Sequence, residues 1–146
     1  MEQRQSSEES LVTRIGQAVI LLHGGDREEA RNRMGELWAE IGDTGDPVQR
    51  CTLAHYIADT QDDPGDELAW DLRALTAADG DLPEVVAFHP AFHVNLAADY
   101  VKLHRPDAAL LHLERARACV HVLGDDGYGD GVRTAIARVA RQLAPG

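Results

Sequence analysis

Two histidines of this sequence have the spacing of a metal site. His89 and His93 are separated by three residues, the H-x3-H pattern that many zinc sites use. On one continuous helix this spacing places both rings on the same face, but Pro90 indicates that His89 lies outside the helix, as a cap or in a connector. No cysteine or third ligand stands at a characteristic spacing from the pair. We therefore predict no metal site, and metal binding by His89 and His93 stays an alternative.

Cys51 and His55 are four residues apart and could touch on one face of a helix. A thiol and an imidazole can serve as nucleophile and base, but catalysis also needs a third group that orients the base. The serines all lie within the first ten residues, and the glycine-rich, metalloprotease and calcium-loop motifs are absent. Because a free cysteine is usually a small core residue, we predict no catalytic residue and no cofactor.

The charge of the chain restricts the partners that it can have. Its 146 residues carry 25 acidic and 14 basic side chains, a net charge of −11. This balance argues against nucleic acid and against an anionic membrane surface, since both attract clustered Lys and Arg. No apolar run is long enough to span a membrane, the first residues lack a signal-peptide core, and the two cysteines form no C-x-x-C pattern. We expect free thiols and a cytoplasmic location.

Apolar residues recur at steps of three and four along the chain, which is the period of a helix, and no strand pattern competes. The clearest stretch is 93–119, where two short amphipathic helices meet at Pro106, a residue suited to the first turn of the second helix. Its spacing is repeated near the start of the chain. The two matching sets are Ala97, Tyr100, Ala109, Leu113, Ala116 and Ala18, Leu21, Ala30, Met34, Leu37.

These units resemble the tetratricopeptide repeat, an antiparallel helix pair of about 34 residues. In 93–119 six of the eight signature positions are filled, while His93 replaces the opening aromatic residue and His121 the closing proline. The resemblance implies an all-α fold, a right-handed α-α superhelix of about three antiparallel helix pairs in one domain, 1–146. The pairs are expected at about 7–42, 47–78 and 90–122, with a C-terminal capping helix at about 128–143.

In the family that the chain resembles, the first helix of each pair lines a concave groove that binds partners. By this resemblance the groove contains His55 and Asp59 from the middle pair and Asn95 and Lys102 from the third. Asn95 falls on an asparagine with which some members hold a peptide carboxylate, but the rest of that clamp is missing, so we predict no clamp. The other groove positions would be Val12, Ile15, Val19, Leu22, Cys51, Ala58, Val94, Ala98 and Val101.

An acidic, partly polar centre remains as the predicted partner-binding site. It suits a basic or hydrogen-bonding segment of a protein or peptide, although 59–63 could instead be a solvated turn with a helix N-cap. We therefore predict a non-catalytic protein-interaction module. Apolar surface left on the first helix would in addition allow self-association into a homodimer. The alternatives are a small-ligand or metal-binding sensor and a cysteine-dependent enzyme built on Cys51, His55 and Asn95. The predicted site consists of His55, Asp59, Asp62, Asp63, Asn95 and Lys102.

Overall fold

The computed structural model describes residues 2–145 of the chain, with side chains described for 11–145. Within this range seven long helices and one single-turn helix are joined by short turns, and no strand occurs. The prediction of an all-α protein is confirmed for these residues. None of the described helices is both long enough and apolar enough to cross a membrane. The helices are α1 Glu2–His23, α2 Arg27–Ile41, α3 Pro47–Asp59, α4 Pro64–Ala77, α5 Pro83–Val86, α6 His89–Lys102, α7 Pro106–Ala118 and α8 Gly127–Leu143, with a 3-10 turn at Val120–Val122.

Prolines and glycines mark the helix boundaries. Pro47, Pro64 and Pro106 stand in the first turn of α3, α4 and α7, where a missing N–H costs no helical hydrogen bond. Gly25 follows α1 with φ of 93°, a left-handed conformation that glycine adopts without steric cost. Two expectations are corrected. α1 begins ahead of the predicted start near residue 7, and α6 includes His89, because Pro90 is tolerated anywhere in a first turn.

Successive helices pack in pairs. α1 packs on α2, α3 on α4 and α6 on α7, and the short turns within each pair make the two helices antiparallel. Neighbouring pairs meet through α2 with α3 and through α4 with α6, while α8 packs against α6 and α7. The single-turn α5 lies between the second and third pairs and contacts α3. This order of contacts brings α4 and α6, which are separated in the chain by α5, side by side.

The positions of the repeated spacing form the interior. The alanines among them are fully buried, so neighbouring helix backbones approach closely, and larger residues fill the space between them. Leu21 and Tyr100 are only partly buried. One apolar cluster joins α1, α2 and α3, a second joins α3 to α6, and a third joins α6, α7 and α8. The buried members of the repeated spacing are Ala18, Ala30, Met34, Leu37, Ala97, Ala109, Leu113 and Ala116.

Candidate functional site

Three carboxyl groups lie together where α4 packs against α6. Glu67 and Asp71 are one turn apart on α4, and Asp99 lies on α6. One carboxylate oxygen of each residue lies within 4.8 Å of the other two. Asp71 is only 4% exposed and Asp99 only 2%, so both belong to the interior of the α4–α6 contact. We call these three residues the carboxylate cluster.

The two aspartates of the cluster stand at positions where an apolar residue would be expected. Asp71 precedes the buried Ala74 by three residues, and Asp99 follows the buried Leu96 by three. Residues three apart share a helix face, so both carboxyl groups are carried into the core by their own helices. A buried carboxyl group costs free energy unless hydrogen bonds or an opposite charge compensate it. The groups around Asp71 and Asp99 therefore show how the cost of burying these two carboxyl groups is compensated.

Asp71 and Asp99 are hydrogen-bonded to each other, and their pKa values are shifted. Burial raises the pKa of the Asp71 carboxyl strongly, and the hydrogen bond to Asp99 and its negative charge add to this. Burial also raises the pKa of Asp99, but the hydrogen bond from Asp71 opposes the rise. Near neutral pH the shared proton therefore belongs to Asp71, which donates it to the Asp99 carboxylate. The Oδ2 atom of Asp99 has no hydrogen-bond partner in the described part of the chain.

Lys102 closes the outer side of the carboxylate cluster. Its Nζ donates to Glu67 Oε1 at 2.7 Å, and this hydrogen bond raises the pKa of the lysine. The Glu67 side chain is 18% exposed and that of Lys102 is 53% exposed, so the ion pair stands between the buried aspartates and solvent. The sequence predicted that Lys102 binds a partner protein, but it did not identify Glu67, the residue with which Lys102 forms an ion pair.

His55 and Asn95 meet between α3 and α6. Asn95 Nδ2 lies 3.1 Å from His55 Nδ1, so the amide can donate to the unprotonated nitrogen of a neutral ring. Burial lowers the pKa of His55, and the negative charge of Asp59 partly opposes this. Asp59 follows one turn later on α3 and is exposed. The structure thus brings together three of the predicted residues, His55, Asp59 and Asn95.

Asp62 and Asp63 have structural partners in the turn between α3 and α4. Asp63 is the N-cap of α4, and its Oδ2 accepts from the N–H of Asp66 at 3.0 Å. Asp62 is bound from α2, with its carboxylate 3.2 Å from Arg31 Nη2 and 3.5 Å from Arg27 Nη1. The turn with an N-cap, which the sequence left open as the competing explanation for 59–63, is present.

A small pocket opens beside His55. It encloses about 80 Å³, and the 49% exposed Tyr128 forms its outer edge. The ring of Tyr128 meets Phe88 edge-on, with centroids 6.4 Å apart. The pocket is built by α3, by the junction of α5 and α6, by α6 itself and by the first turn of α8. Its lining residues are Thr52, His55, Tyr56, Phe88, Ala91, Phe92 and Tyr128.

A wider depression of about 560 Å³ is lined by residues of α2, α3 and α4, with Asp43 from the turn after α2. Two arginines in its wall stack on tryptophan rings. The Arg50 guanidinium lies 4.5 Å from the Trp38 ring centre, and that of Arg73 lies 4.3 Å from the Trp70 ring centre. Arg50 also donates to the carbonyl of Gly42. The Arg50 contact therefore joins α3 to α2, whereas Arg73 and Trp70 both belong to α4 and their contact lies within that helix.

The groove positions that the resemblance implies are corrected at three places. Cys51, Ala58 and Val94 are 0%, 1% and 3% exposed, so they belong to the core and not to a binding surface. The Cys51 thiol donates to the carbonyl of Val48 at 3.4 Å, and burial raises its pKa. A buried thiol with a raised pKa yields little thiolate, so this geometry does not favour a cysteine-dependent enzyme.

The histidines His89 and His93 have separate partners. His89 Nε2 lies 2.7 Å from the carbonyl of Ala78, whereas His93 Nδ1 lies 3.2 Å from Nδ1 of His112. His112 is buried between the rings of His93 and Tyr100. Among residues 11–145, the structure brings three possible metal ligands together in the carboxylate cluster. Neither His89 nor His93 belongs to it.

The cluster and the pocket differ in what they can do chemically. Two carboxyl groups that share a proton can act as acid and base, but Asp71 and Asp99 are too deeply buried to meet a substrate. The cluster is suited to holding positive charge, and the pocket beside His55 is open to a small apolar group. Comparisons of the chain with protein-family models, with curated proteins and with solved structures find no match. Its function is therefore inferred from these local features.

Proposed function

We propose that this chain is a non-catalytic protein-interaction module that binds a segment of a partner protein or peptide. Its helix pairs, together with the resemblance to tetratricopeptide repeats, support a right-handed superhelix with α3, α6 and the start of α8 on the concave side. We propose the cytoplasm as its location, because the free thiols of Cys51 and Cys119 suit a reducing compartment.

The pocket beside His55 is the observation that carries this proposal. Its lining comes from α3 and α6, the first helices of the second and third pairs, and from α8. Small-molecule sites usually enclose about 300–1,000 Å³, so a volume of about 80 Å³ favours one apolar side chain of a partner over a metabolite. The wider depression near Trp38 has the volume for a small molecule, but its arginines are already used in packing.

The negative charge beside the pocket indicates which residue should stand next to the partner's apolar side chain. Asp59 is exposed one turn after His55, and its charge is close enough to act on the His55 ring. With a net charge of −11, the surface attracts basic segments and repels acidic ones. The proposed ligand is therefore a segment with a small or medium apolar residue next to Lys or Arg.

A random peptide library displayed on phage tests this proposal. Selection on the wild-type protein should enrich peptides with an apolar residue adjacent to Lys or Arg. Tyr128→Ala removes the outer edge of the pocket and should weaken binding of these peptides by about tenfold. Leu111→Ala is the matched control, because Leu111 on α7 is 45% exposed and lies outside the pocket. Binding should also weaken as NaCl is raised from about 0.05 to about 0.5 M.

The opposite results would refute the proposal. These are the absence of any enriched motif, or peptides that bind Tyr128→Ala as tightly as the wild type. Enriched peptides rich in Asp and Glu would refute the assignment of a basic ligand.

Self-association into a homodimer is a further part of the proposal for partners. The outward face of α1 supports it, because Val12 is 59% and Ile20 72% exposed. Exposed apolar side chains on one helix are a common basis for contact between protein surfaces.

A further inference from the structure

The carboxylate cluster contains an acceptor that the described residues do not satisfy. Asp99 is 2% exposed, and its Oδ2 has no hydrogen-bond partner. A buried acceptor without a partner destabilises the folded chain. Oxygens of Glu67 and Asp71 approach the same space, within 4.8 Å of the Asp99 carboxylate. A positively charged ligand bound between the three groups would satisfy the acceptor and relieve their mutual repulsion.

We propose that Glu67, Asp71 and Asp99 bind a hard divalent cation of the class of Mg²⁺, Mn²⁺ and Ca²⁺. Carboxylate oxygens are the ligands that these ions prefer, and the cluster has no thiolate or imidazole of the kind that zinc and copper favour. Ions of this class hold oxygens at about 2.0–2.6 Å. Oxygens around one ion therefore lie within about 5 Å of one another, which agrees with the separation in the cluster.

The charges around the cluster also fit a divalent ion. An ion that displaces the proton held between Asp71 and Asp99 leaves three negative charges on the cluster, and Lys102 at Glu67 supplies one positive charge. A divalent ion supplies the other two. Asp59 adds negative potential from outside the cluster. The ammonium group of a partner's lysine is a less suitable occupant, because Asp71 and Asp99 are too buried for an incoming side chain to reach without separating α4 from α6.

A bound ion would join the second helix pair to the third. Glu67 and Asp71 belong to α4 and Asp99 to α6, and these helices form the contact between the two pairs. Ion binding should therefore raise the melting temperature, since the ion binds the native arrangement and not the unfolded chain. This proposal goes beyond peptide binding, because the cluster is separate from the pocket beside His55.

Titration with Mn²⁺ tests the site. The full chain, freed of metal with EDTA and dialysed, is titrated with MnCl₂ while electron paramagnetic resonance measures the free ion. One Mn²⁺ per chain should bind, the melting temperature should rise, and Mg²⁺ or Ca²⁺ should compete. Glu67→Gln and Asp99→Asn should each weaken binding by tenfold or more, whereas the control Asp79→Asn, at an exposed position, should not.

Asp99→Asn should also change the melting temperature, which provides a second measurement if Mn²⁺ binding is weak. The substituted amide can still accept the proton of Asp71 but carries no buried charge, so the substitution should raise the melting temperature of the metal-free protein and abolish its response to Mn²⁺. If Asp99→Asn fails to fold, the Mn²⁺ affinity of Glu67→Gln, at the outer side of the cluster, tests the site instead. The site is refuted if the wild type binds no Mn²⁺ at about 10 mM, well above the range of most protein sites. The site is equally refuted if Glu67→Gln binds Mn²⁺ as tightly as the wild type does. That result would mean that the ions bind at many places on the acidic surface.

Discussion

At the residue scale, His93 stands where the tetratricopeptide resemblance places an aromatic side chain, and its ring stacks on that of His112 with centroids 5.4 Å apart. The two Nδ1 atoms are 3.2 Å apart, so one ring donates while the other accepts, and the accepting ring must be neutral. Burial, followed by the positive charges of His112 and Arg115, lowers the pKa of His93 to about 4. The stack is thus a neutral replacement for an aromatic contact.

The low pKa of His93 makes stability depend on pH. Because the pKa of an unperturbed histidine is about 6.5, the unfolded chain binds more protons than the folded one between about pH 6.5 and 4, and stability falls as pH falls through this window. We expect His93 to contribute a loss of about 1–2 kcal/mol from pH 7 to pH 4.5. His93→Phe should lose less stability over this range in urea denaturation. His121→Phe, at an exposed histidine, should behave as the wild type, and identical pH profiles for all three proteins would contradict the prediction.

At the scale of elements, the turn that leads into α4 is held at both ends. Asp63 caps α4, and Pro64 occupies its first turn, while Asp62 and the carbonyl of Thr60 are bound by Arg31 of α2. The cap hydrogen bond satisfies a helix N–H that would otherwise have no partner within the helix. Asp62, with a side chain 74% exposed, is bound only at the surface. The two neighbouring aspartates should therefore differ in their contributions to stability.

Removing the cap should cost more than removing the surface ion pairs. Asp63→Ala should lower the free energy of unfolding by about 1 kcal/mol, and Asp63→Ser, which can still accept the hydrogen bond, should restore most of it. Asp62→Ala should cost no more than about 0.5 kcal/mol. Urea denaturation at neutral pH measures all three variants. A larger loss for Asp62→Ala than for Asp63→Ala would show that the ion pairs with α2, and not the cap, hold this turn.

At the scale of the whole molecule, the two ends differ. α8 covers the third helix pair, burying Val132, Ile136 and Val139 against α6 and α7. On α1, by contrast, Val12 and Ile20 remain exposed at 59% and 72%. One end of the helix stack is therefore covered by its own chain, whereas α1 keeps apolar surface in contact with water.

The exposed face of α1 leads us to expect a concentration-dependent homodimer. Multi-angle light scattering should give a mass above the 15.9 kDa of one chain that rises with concentration. Ile20→Arg places a charge in the proposed contact and should return the protein to the monomer mass. Leu110→Arg, at a 45% exposed position on α7, is the control and should leave the dimer unchanged. A monomer mass for the wild type at every concentration would rule out self-association through α1.

The order and the limits of the helices could be read from the sequence because the information is local. Helical periodicity and the positions of prolines and glycines depend on residues a few places apart, and they indicated helix pairs at about 7–42, 47–78 and 90–122, the ranges in which α2, α3, α4 and α7 lie. The buried alanines followed from the same spacing. The resemblance was less reliable for side-chain direction, since Cys51, Ala58 and Val94 face the core. A small rotation of a helix is enough to exchange groove and core positions.

The candidate sites were decided by tertiary structure, because their parts are distant in the chain. Asp71 and Asp99 look in sequence like ordinary polar positions of two helices, and the local signal is only a carboxylate three residues from a buried apolar residue. Packing of α4 on α6 turns them into a buried pair. Tyr128 likewise joins the pocket beside His55 only because α8 folds back onto α6. The sequence alone determined which segments are helical, through short-range periodicity, while the contacts between helices decided which charges are buried together.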